Sequence, residues 1–286
     1  MAALYGLVAG ALFGALGVAI RVGLQRGGDA EGGAAVVTSV GALVALALAA
    51  ATGGGEVAAG DLLPFALVGA LVPGVSSLVF VQAIQHAGAS RALIVIGTTP
   101  LLSVLLAVVL LDEPLELPLA IGTVLVVAAA TVLARETRPE HFRVLGGVLA
   151  LLCAVLFAAR DNLVRWASQD AHPPPLVATA TSLVCAALVL IAWLVFARGQ
   201  TARARVSQGV SAFVVAGLCL GLAYAALIAG LDRGRVSVVA PLNATQSLWA
   251  VVFAALFLRR SEAIGGRVTV AAALVVAGGA LIGIFR

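Results

Sequence analysis

The sequence predicts an all-α integral membrane protein in which ten transmembrane helices form two inverted five-helix repeats. Its composition is the first reason: of 286 residues, 62% are hydrophobic and only 10% are charged. A soluble globular chain is about 45–50% apolar and about 25% charged. The second reason is that the apolar residues occur in runs of about 20, the length with which a helix crosses the hydrocarbon core of a bilayer. A multi-pass protein of the cell membrane, with the lipid bilayer as a partner, is therefore expected.

Ten such runs follow one another along the chain with short linkers between them. They are continuous in apolar character, whereas the strands of a membrane barrel alternate between polar and apolar residues. The predicted transmembrane helices extend over residues 3–24, 34–52, 62–85, 89–111, 117–134, 145–166, 176–197, 210–230, 236–258 and 268–285.

The chain divides near a polar stretch at its midpoint into a first half, 1–138, and a second half, 139–286, which we expect to form one compact membrane domain. The fourth predicted helix carries the motif GTTP at 97–100, and the ninth carries PLNATQ at 241–246. An odd number of helices in each half inverts the second half relative to the first. Inverted repeats of this kind are typical of secondary transporters, whose substrate site lies near the membrane midplane between the repeats.

Polar side chains inside a membrane are costly and usually face a cavity or one another. Here they concentrate in the third, fourth, sixth, eighth and ninth predicted helices, which we interpret as cavity walls. The candidate substrate-binding residues are Ser77, Gln82, Thr98, Thr99, Arg160, Asn162, Tyr224, Asn243, Gln246 and Trp249.

The triplet Arg160-Asp161-Asn162 is the most polar feature of any predicted helix. Adjacent residues on a helix point about 100° apart, so we expect Arg160 and Asp161 to seek other partners than each other. Asp161 is the candidate coupling residue, because a carboxylate in the membrane can take up a proton and link transport to its gradient. The alternative is that the sixth helix ends near Ala159 and leaves the triplet at the membrane surface.

Two prolines, Pro100 and Pro241, lie within the fourth and ninth predicted helices. A proline inside a helix leaves the carbonyl one turn earlier without its donor, here Ile96 and Ser237. Such broken helices bind substrates or ions in many transporters, although a simple packing kink is the alternative. The glycines at 6, 10 and 14 indicate close packing of the first helix on a neighbour.

Other classes of function find little support in the sequence. All 17 basic residues are arginine, without interleaved aromatics, so a nucleic-acid partner is not expected. No metal-ligand spacing and no aspartate-rich cluster occur, so no cofactor and no metal are predicted. An intramembrane enzyme acting on a lipid or other apolar substrate is the alternative to a carrier. The sequence does not indicate the oligomeric state.

Four segments together resemble the drug/metabolite transporter superfamily, and specifically its EamA-type ten-helix members. They are ALFGALGVAIR at 11–21, TTPLLSVLLAVVLLDEPL at 98–115, IGTVLVVAAATVL at 121–133 and APLNATQSLW at 240–249. The resemblance implies a basket-like bundle around a central cavity lined by helices one, three, four, six, eight and nine. It also implies a carrier or exporter that moves a small metabolite, such as an amino acid, by alternating access, alone or with a proton or another ion. In that family a proline-containing fourth helix ends in a glutamate before the fifth helix, and Pro100 and Glu113 fit this pattern. In the second half, Arg259–Glu262 occupies the matching helix end and departs from the pattern.

The orientation in the membrane is open. Most helix-flanking arginines lie in the odd-numbered loops, which the positive-inside rule places in the cytoplasm, with both termini outside. The family resemblance implies the reverse, with both termini in the cytoplasm.

Overall fold

The structure is a computed structural model, and it describes most of the chain. The described residues are 1–53, 57–110, 117–134, 144–170, 173–207 and 210–257, together with 270, 274, 277, 278 and 281. Every secondary-structure element within them is a helix.

Within its described residues, the first half contains seven α-helices and one π-helical segment, which lies between α3 and α4. Their bounds are α1 Ala2–Gln25, α2 Ala30–Ala51, α3 Ala59–Gly69, the π segment Ala70–Val75, α4 Ser76–Ala87, α5 Ala89–Ile96, α6 Thr99–Leu110 and α7 Leu117–Ala134.

The second half contains six α-helices among the described residues. Their bounds are α8 Val144–Asp170, α9 Pro175–Arg198, α10 Thr201–Ser207, α11 Val210–Arg233, α12 Val236–Asn243 and α13 Gln246–Phe257.

Seven described stretches are helical, long and apolar enough to cross a membrane, so the predicted number of ten is not confirmed. They are Ala2–Gln25, Ala30–Ala51, Ala59–Ala87, Val144–Gln169, Pro175–Arg198, Val210–Arg233 and Val236–Phe257. The fourth predicted helix is instead two shorter ones, α5 and α6, and the fifth corresponds to α7. The tenth, 268–285, falls almost entirely outside the described residues.

The fourth and ninth predicted helices are broken in the same way. An eight-residue helix is followed by a two-residue turn and a second helix in both, as α5–α6 and as α12–α13. The turns lie at Gly97-Thr98 and at Ala244-Thr245. Pro100 stands in the first turn of α6, where its missing N–H costs no intrahelical hydrogen bond. The breaks that the prolines predicted therefore exist, each displaced by two or three residues from its proline.

The glycines of α1 pack against the broken ninth helix. A Cβ atom added at Gly10 would lie 2.9 Å from the carbonyl oxygen of Asn243, and one at Gly14 would lie 2.9 Å from that of Gln246. Only glycine permits such an approach between two backbones. The packing interpretation is confirmed here, and α1 lies directly on the break between α12 and α13.

A cluster of ion pairs, which we call the surface cluster, joins the start of α2 to the end of α9 and to α10. Arg198 pairs with both carboxylate oxygens of Glu31. Arg205 donates to Asp29 at 2.8 Å and lies 3.4 Å from Glu31. Asp29 also caps α2 by accepting from the backbone N–H of Gly32 at 2.8 Å. The two arginines are 39% and 33% exposed, so water screens these pairs.

Candidate substrate site around Arg160

Arg160 and Asp161 lie in the interior of the long helix α8. The helix continues to Asp170, so the pair is more than two turns from its end. The Arg160 side chain is 2% exposed and that of Asp161 is fully buried. The alternative in which the helix stops near Ala159 is therefore wrong.

Arg160 and Asp161 form a salt bridge with each other, so the prediction that these neighbours would seek other partners is wrong. Both Nε and Nη2 of Arg160 donate to Oδ1 of Asp161, at 2.9 and 2.8 Å. The two Cβ atoms do point apart, but the long arginine side chain folds back to reach the carboxylate. Leaving either charge unpaired in this interior would cost far more than the bent side chain.

Three aromatic rings surround the guanidinium. Its Cζ atom lies 4.7 Å from the ring centre of Phe157 on the same helix. It lies 5.4 Å from that of Tyr224 on α11 and 5.8 Å from that of Phe13 on α1. Phe13 and Tyr224 meet edge to face, with ring centres 5.9 Å apart. Because ring faces attract cations, these rings hold the positive charge that would otherwise be exposed to hydrocarbon.

Helix α6 is attached to α8 beside the ion pair. The hydroxyl of Ser103 donates to Oδ2 of Asp161 at 3.3 Å. The side-chain amide of Asn162 donates to the carbonyl of Ser103 at 3.1 Å and to that of Ala158 at 2.9 Å. The other end of that amide, Oδ1, is buried without a hydrogen-bond partner among the described residues. The triplet therefore connects both halves of the chain.

A small cavity of about 20 Å³ lies against Arg160. It is lined from the first, third, sixth and eighth predicted helices, and the fourth and ninth do not reach it. Space of this size admits about one water molecule, whereas metabolite pockets are usually about 300–1,000 Å³. The site is therefore closed around the ion pair. The lining residues are Phe13, Leu16, Pro73, Ser76, Ser77, Phe80, Phe157, Arg160, Leu220 and Tyr224.

The structure brings five of the predicted residues together. Ser77, Arg160 and Tyr224 line the cavity, and Asp161 and Asn162 adjoin it. The sequence interpretation missed Phe13, Phe80, Phe157 and Ser103. Phe13 stands eight residues before Arg21, and Phe157 stands eight residues before Arg165, so the two phenylalanines occupy equivalent positions in the two halves. That spacing does not indicate that both rings contact the guanidinium of Arg160.

Two predicted threonines at the break bond back to the end of α5. Thr98 donates to the carbonyl of Val95 at 2.8 Å, and Thr99 donates to that of Ile96 at 2.6 Å. The carbonyl of Ile96, predicted to be freed by Pro100, is thus satisfied by the neighbouring hydroxyl. Gln82 is half-buried on α4 and is not part of the cavity lining.

Asn243, Gln246 and Trp249 lie apart from the cavity lining, at the break between α12 and α13. Asn243 and Gln246 are buried, and Oδ1 of Asn243 has no hydrogen-bond partner among the described residues. Trp249 stacks on Phe253 with ring centres 5.7 Å apart. In the described part of the chain, no hydrogen bond joins this group to Arg160. Their role in substrate binding stays a prediction.

Metal chemistry has no visible site in the part of the chain that the structure describes. There, no group of three or more His, Cys, Asp and Glu side chains is placed to hold a metal ion.

Comparisons with known proteins identify a family from the sequence and, separately, a fold from the structure. The profile of the EamA-like transporter family matches the chain twice, over residues 1–135 and 144–284. A solved crystal structure matches 99% of this chain and 96% of its own, with a TM-score of 0.75. Its sequence identity is 22%, so that likeness shows the fold alone. No curated protein matches the sequence.

Proposed function

Because the chain belongs to the EamA-like transporter family, we propose that it is a secondary carrier of a small metabolite, such as an amino acid. The buried pair of Arg160 and Asp161 beside the cavity is the observation that supports this proposal. A buried charge pair that only stabilised the fold could usually be replaced by apolar residues without loss. Ionisable groups inside membranes are instead characteristic of substrate and ion pathways.

The position of the pair suits a carrier built from two repeats. The cavity takes Phe13 and Ser77 from the first half and Arg160 and Tyr224 from the second. Sites of secondary transporters lie between their repeats, so that rocking one repeat against the other exposes the site to each side in turn. The small closed cavity is compatible with the occluded arrangement of such a cycle, and loading it would require the helices to separate.

Asp161 is the residue we propose for coupling transport to a proton or another ion. Its carboxylate is fully buried and holds the positive charge of Arg160 in place. A proton on Asp161 would weaken that attachment and release the guanidinium for the solute. Moving one charge across the membrane potential is worth about 2.3 kcal/mol per 100 mV, enough to drive a substantial gradient.

The experiment is a thermal-stabilisation screen of the purified, detergent-solubilised protein against amino acids, nucleosides, sugars, organic cations and organic acids. A ligand at about 100 times its dissociation constant stabilises by about 2.7 kcal/mol. Flux of each hit into proteoliposomes is then measured. Saturable accumulation of the unchanged compound supports a carrier. A chemically altered product would replace the carrier with an intramembrane enzyme, and the absence of any hit would contradict a small metabolite.

A further inference from the structure

We infer that the transported solute is a monoanionic carboxylate with an apolar body, that its carboxylate binds Arg160 and Tyr224, and that one proton enters on Asp161. This inference rests on the carrier function proposed above and narrows its substrate class. It follows from the unused donors in the cavity, from the lining around them and from the charge balance of the pair.

Arg160 still has donors to offer on its cavity side. A guanidinium carries five N–H groups, and within the described residues only three of them have acceptors. Two of these three are held by Asp161, through Nε and Nη2. The third, on Nη1, reaches the hydroxyl of Tyr224 at 3.4 Å, a long and weak hydrogen bond. An incoming oxygen anion can therefore bind Nη1 without first removing Asp161.

Tyr224 supplies a second donor next to the first. Its hydroxyl oxygen accepts from Arg160, so its own proton remains available to an acceptor in the cavity that both side chains line. One N–H and one O–H side by side match the two oxygens of a carboxylate, and the charge of the guanidinium strengthens both bonds.

The rest of the cavity is suited to an apolar body. Its lining is mainly aromatic and aliphatic, with Phe80, Leu16 and Leu220 beside the rings that surround the guanidinium. Ser77, one of two serines in the lining, already accepts from the hydroxyl of Thr38 at 3.3 Å. Asp161 does not line the cavity, so an ammonium group on the solute would find no carboxylate there.

The charge balance requires a proton. Arg160 and Asp161 together are neutral, and a bound carboxylate leaves one negative charge in an apolar interior, which is strongly unfavourable. Among the described residues packed against α8, the groups facing the pair are Ser103 of α6 and Tyr224 of α11, neither of which is cationic. Protonation of Asp161 restores neutrality.

Of the other ionisable groups described on these packed helices, Cys219 lies in the middle of α11 and outside the cavity lining, and the rest lie at the helix ends. Asp61 stands in the first turn of α3 and His86 in the last turn of α4. Asp232 and Arg233 close α11, and Arg235 precedes α12. None of them lines the cavity.

The uptake of one proton determines how the dissociation constant of the solute changes with pH. If binding takes up one proton per carboxylate, the dissociation constant rises about tenfold for each unit of pH. Asp161→Asn cannot take up the proton, so its affinity becomes independent of pH and exceeds that of the unmodified protein at high pH. Arg160→Gln loses the preference for carboxylates, and Tyr224→Phe weakens binding while keeping the pH slope.

The test is isothermal titration of the purified full-length protein in detergent with straight-chain carboxylates from acetate to octanoate and with 3-phenylpropanoate. Each carboxylate is paired with its own amide, and phenylalanine serves as the zwitterionic probe. Titrations are repeated between about pH 6 and about pH 8, in buffers of different ionisation enthalpy so that proton uptake is counted directly. Ordinary carboxylates do not titrate in that range. Asp232→Asn and Tyr5→Phe are matched controls outside the cavity.

The expected result is binding of at least one carboxylate at least tenfold more tightly than its amide, with one proton taken up, and the predicted changes in Asp161→Asn and Tyr224→Phe. Failure of every carboxylate, equal affinity for acid and amide, or binding of phenylalanine without proton uptake would overturn the inference. A non-carboxylate that binds and is transported would leave the carrier function standing and remove this substrate class. Only if the broader thermal-stabilisation screen also found no ligand of any class would the carrier function fall with it.

Discussion

Arg160 with Asp161 and the surface cluster are both arginine–carboxylate groups, but they lie in opposite environments. Arg160 and Asp161 are buried in α8, at a cavity between helices of both halves. The surface cluster joins α2, α9 and α10 at the helix ends, where Arg198 and Arg205 are each about one third exposed or more. The surface cluster has four charges that partly neutralise one another. In the buried pair each charge has one charged partner, and three aromatic rings surround the guanidinium.

The difference separates a functional charge from a structural one. Exposed ion pairs contribute about 0–1 kcal/mol, because water already solvates their members. Breaking a buried pair by removing one partner costs about 3–5 kcal/mol, because the remaining charge is stranded. A membrane protein gains little from retaining such a pair unless its rearrangement is used. Removing single charges from the buried pair and from the surface cluster tests this difference in stability and in flux.

The largest effect is expected from Arg160→Gln, which leaves Asp161 buried without its cation. We expect the free energy of unfolding in detergent to fall by about 3 kcal/mol or more, and flux to be lost. Arg165→Gln on the same helix is the control, since among the described residues Arg165 donates to the carbonyls of Leu231 and Asp232 and not to a carboxylate. Thermal unfolding of both purified variants measures the difference. Equal destabilisation would show that the burial of Arg160 is not decisive.

Asp161→Asn is expected to lower gradient-driven flux while substrate binding is retained, and at high pH strengthened. The amide keeps the size of the side chain and an oxygen for Arg160, but it cannot exchange a proton at physiological pH. Flux into proteoliposomes with and without an imposed pH gradient is compared with the dissociation constant of the same solute. Unchanged flux under the gradient would remove Asp161 from the coupling role.

A smaller effect is expected from Asn243→Ala or Gln246→Ala at the break of the ninth predicted helix. Each removes a buried amide worth about 1 kcal/mol if it bonds to the solute, which is about fivefold in affinity. Titration of both variants with the best ligand measures it. Unaltered affinity in both would confine the site to the cavity at Arg160.

The smallest effect is expected in the surface cluster. Glu31→Gln removes the partner of Arg198 and a neighbour of Arg205, and should lower the free energy of unfolding only slightly, with flux unchanged. Because salt screens exposed charges, the difference from the unmodified protein should shrink as ionic strength rises. A loss of flux in Glu31→Gln, at preserved stability, would assign this cluster a part in the transport cycle.

The sequence was sufficient for the membrane class, the family and the broken helices, because each leaves a local pattern. Runs of apolar residues give the spans, and Pro100 and Pro241 stand within a few residues of the observed breaks. The pairing of Arg160 with Asp161 was not predictable from helix geometry alone. The Cα–Cβ bonds of adjacent helical residues point in different directions, but the long arginine side chain, placed in an apolar interior, bends back to the nearest carboxylate.

The surroundings of the pair could not be read from the chain either. Phe13 lies in an apolar run where an aromatic residue is unremarkable, and it reaches the guanidinium only because α1 passes close to Arg160. Phe157 stands three residues before Arg160 on α8, a spacing that already places the two on one face of the helix. Ser103 is a single hydroxyl in an otherwise apolar helix, and its role depends on the packing of α6 against α8. Tertiary proximity, which no single-sequence pattern encodes, decides the roles of Phe13 and Ser103.

The most direct test of the central claim, that the solute binds at Arg160, is ligand-induced stabilisation measured in matched arginine variants. The ligand found by the thermal screen is added at about 100 times its dissociation constant for the unmodified protein. We predict a stabilisation of about 2.7 kcal/mol in the unmodified protein and in Arg165→Gln, and none in Arg160→Gln. Full stabilisation of a folded Arg160→Gln would place the solute elsewhere and contradict the account.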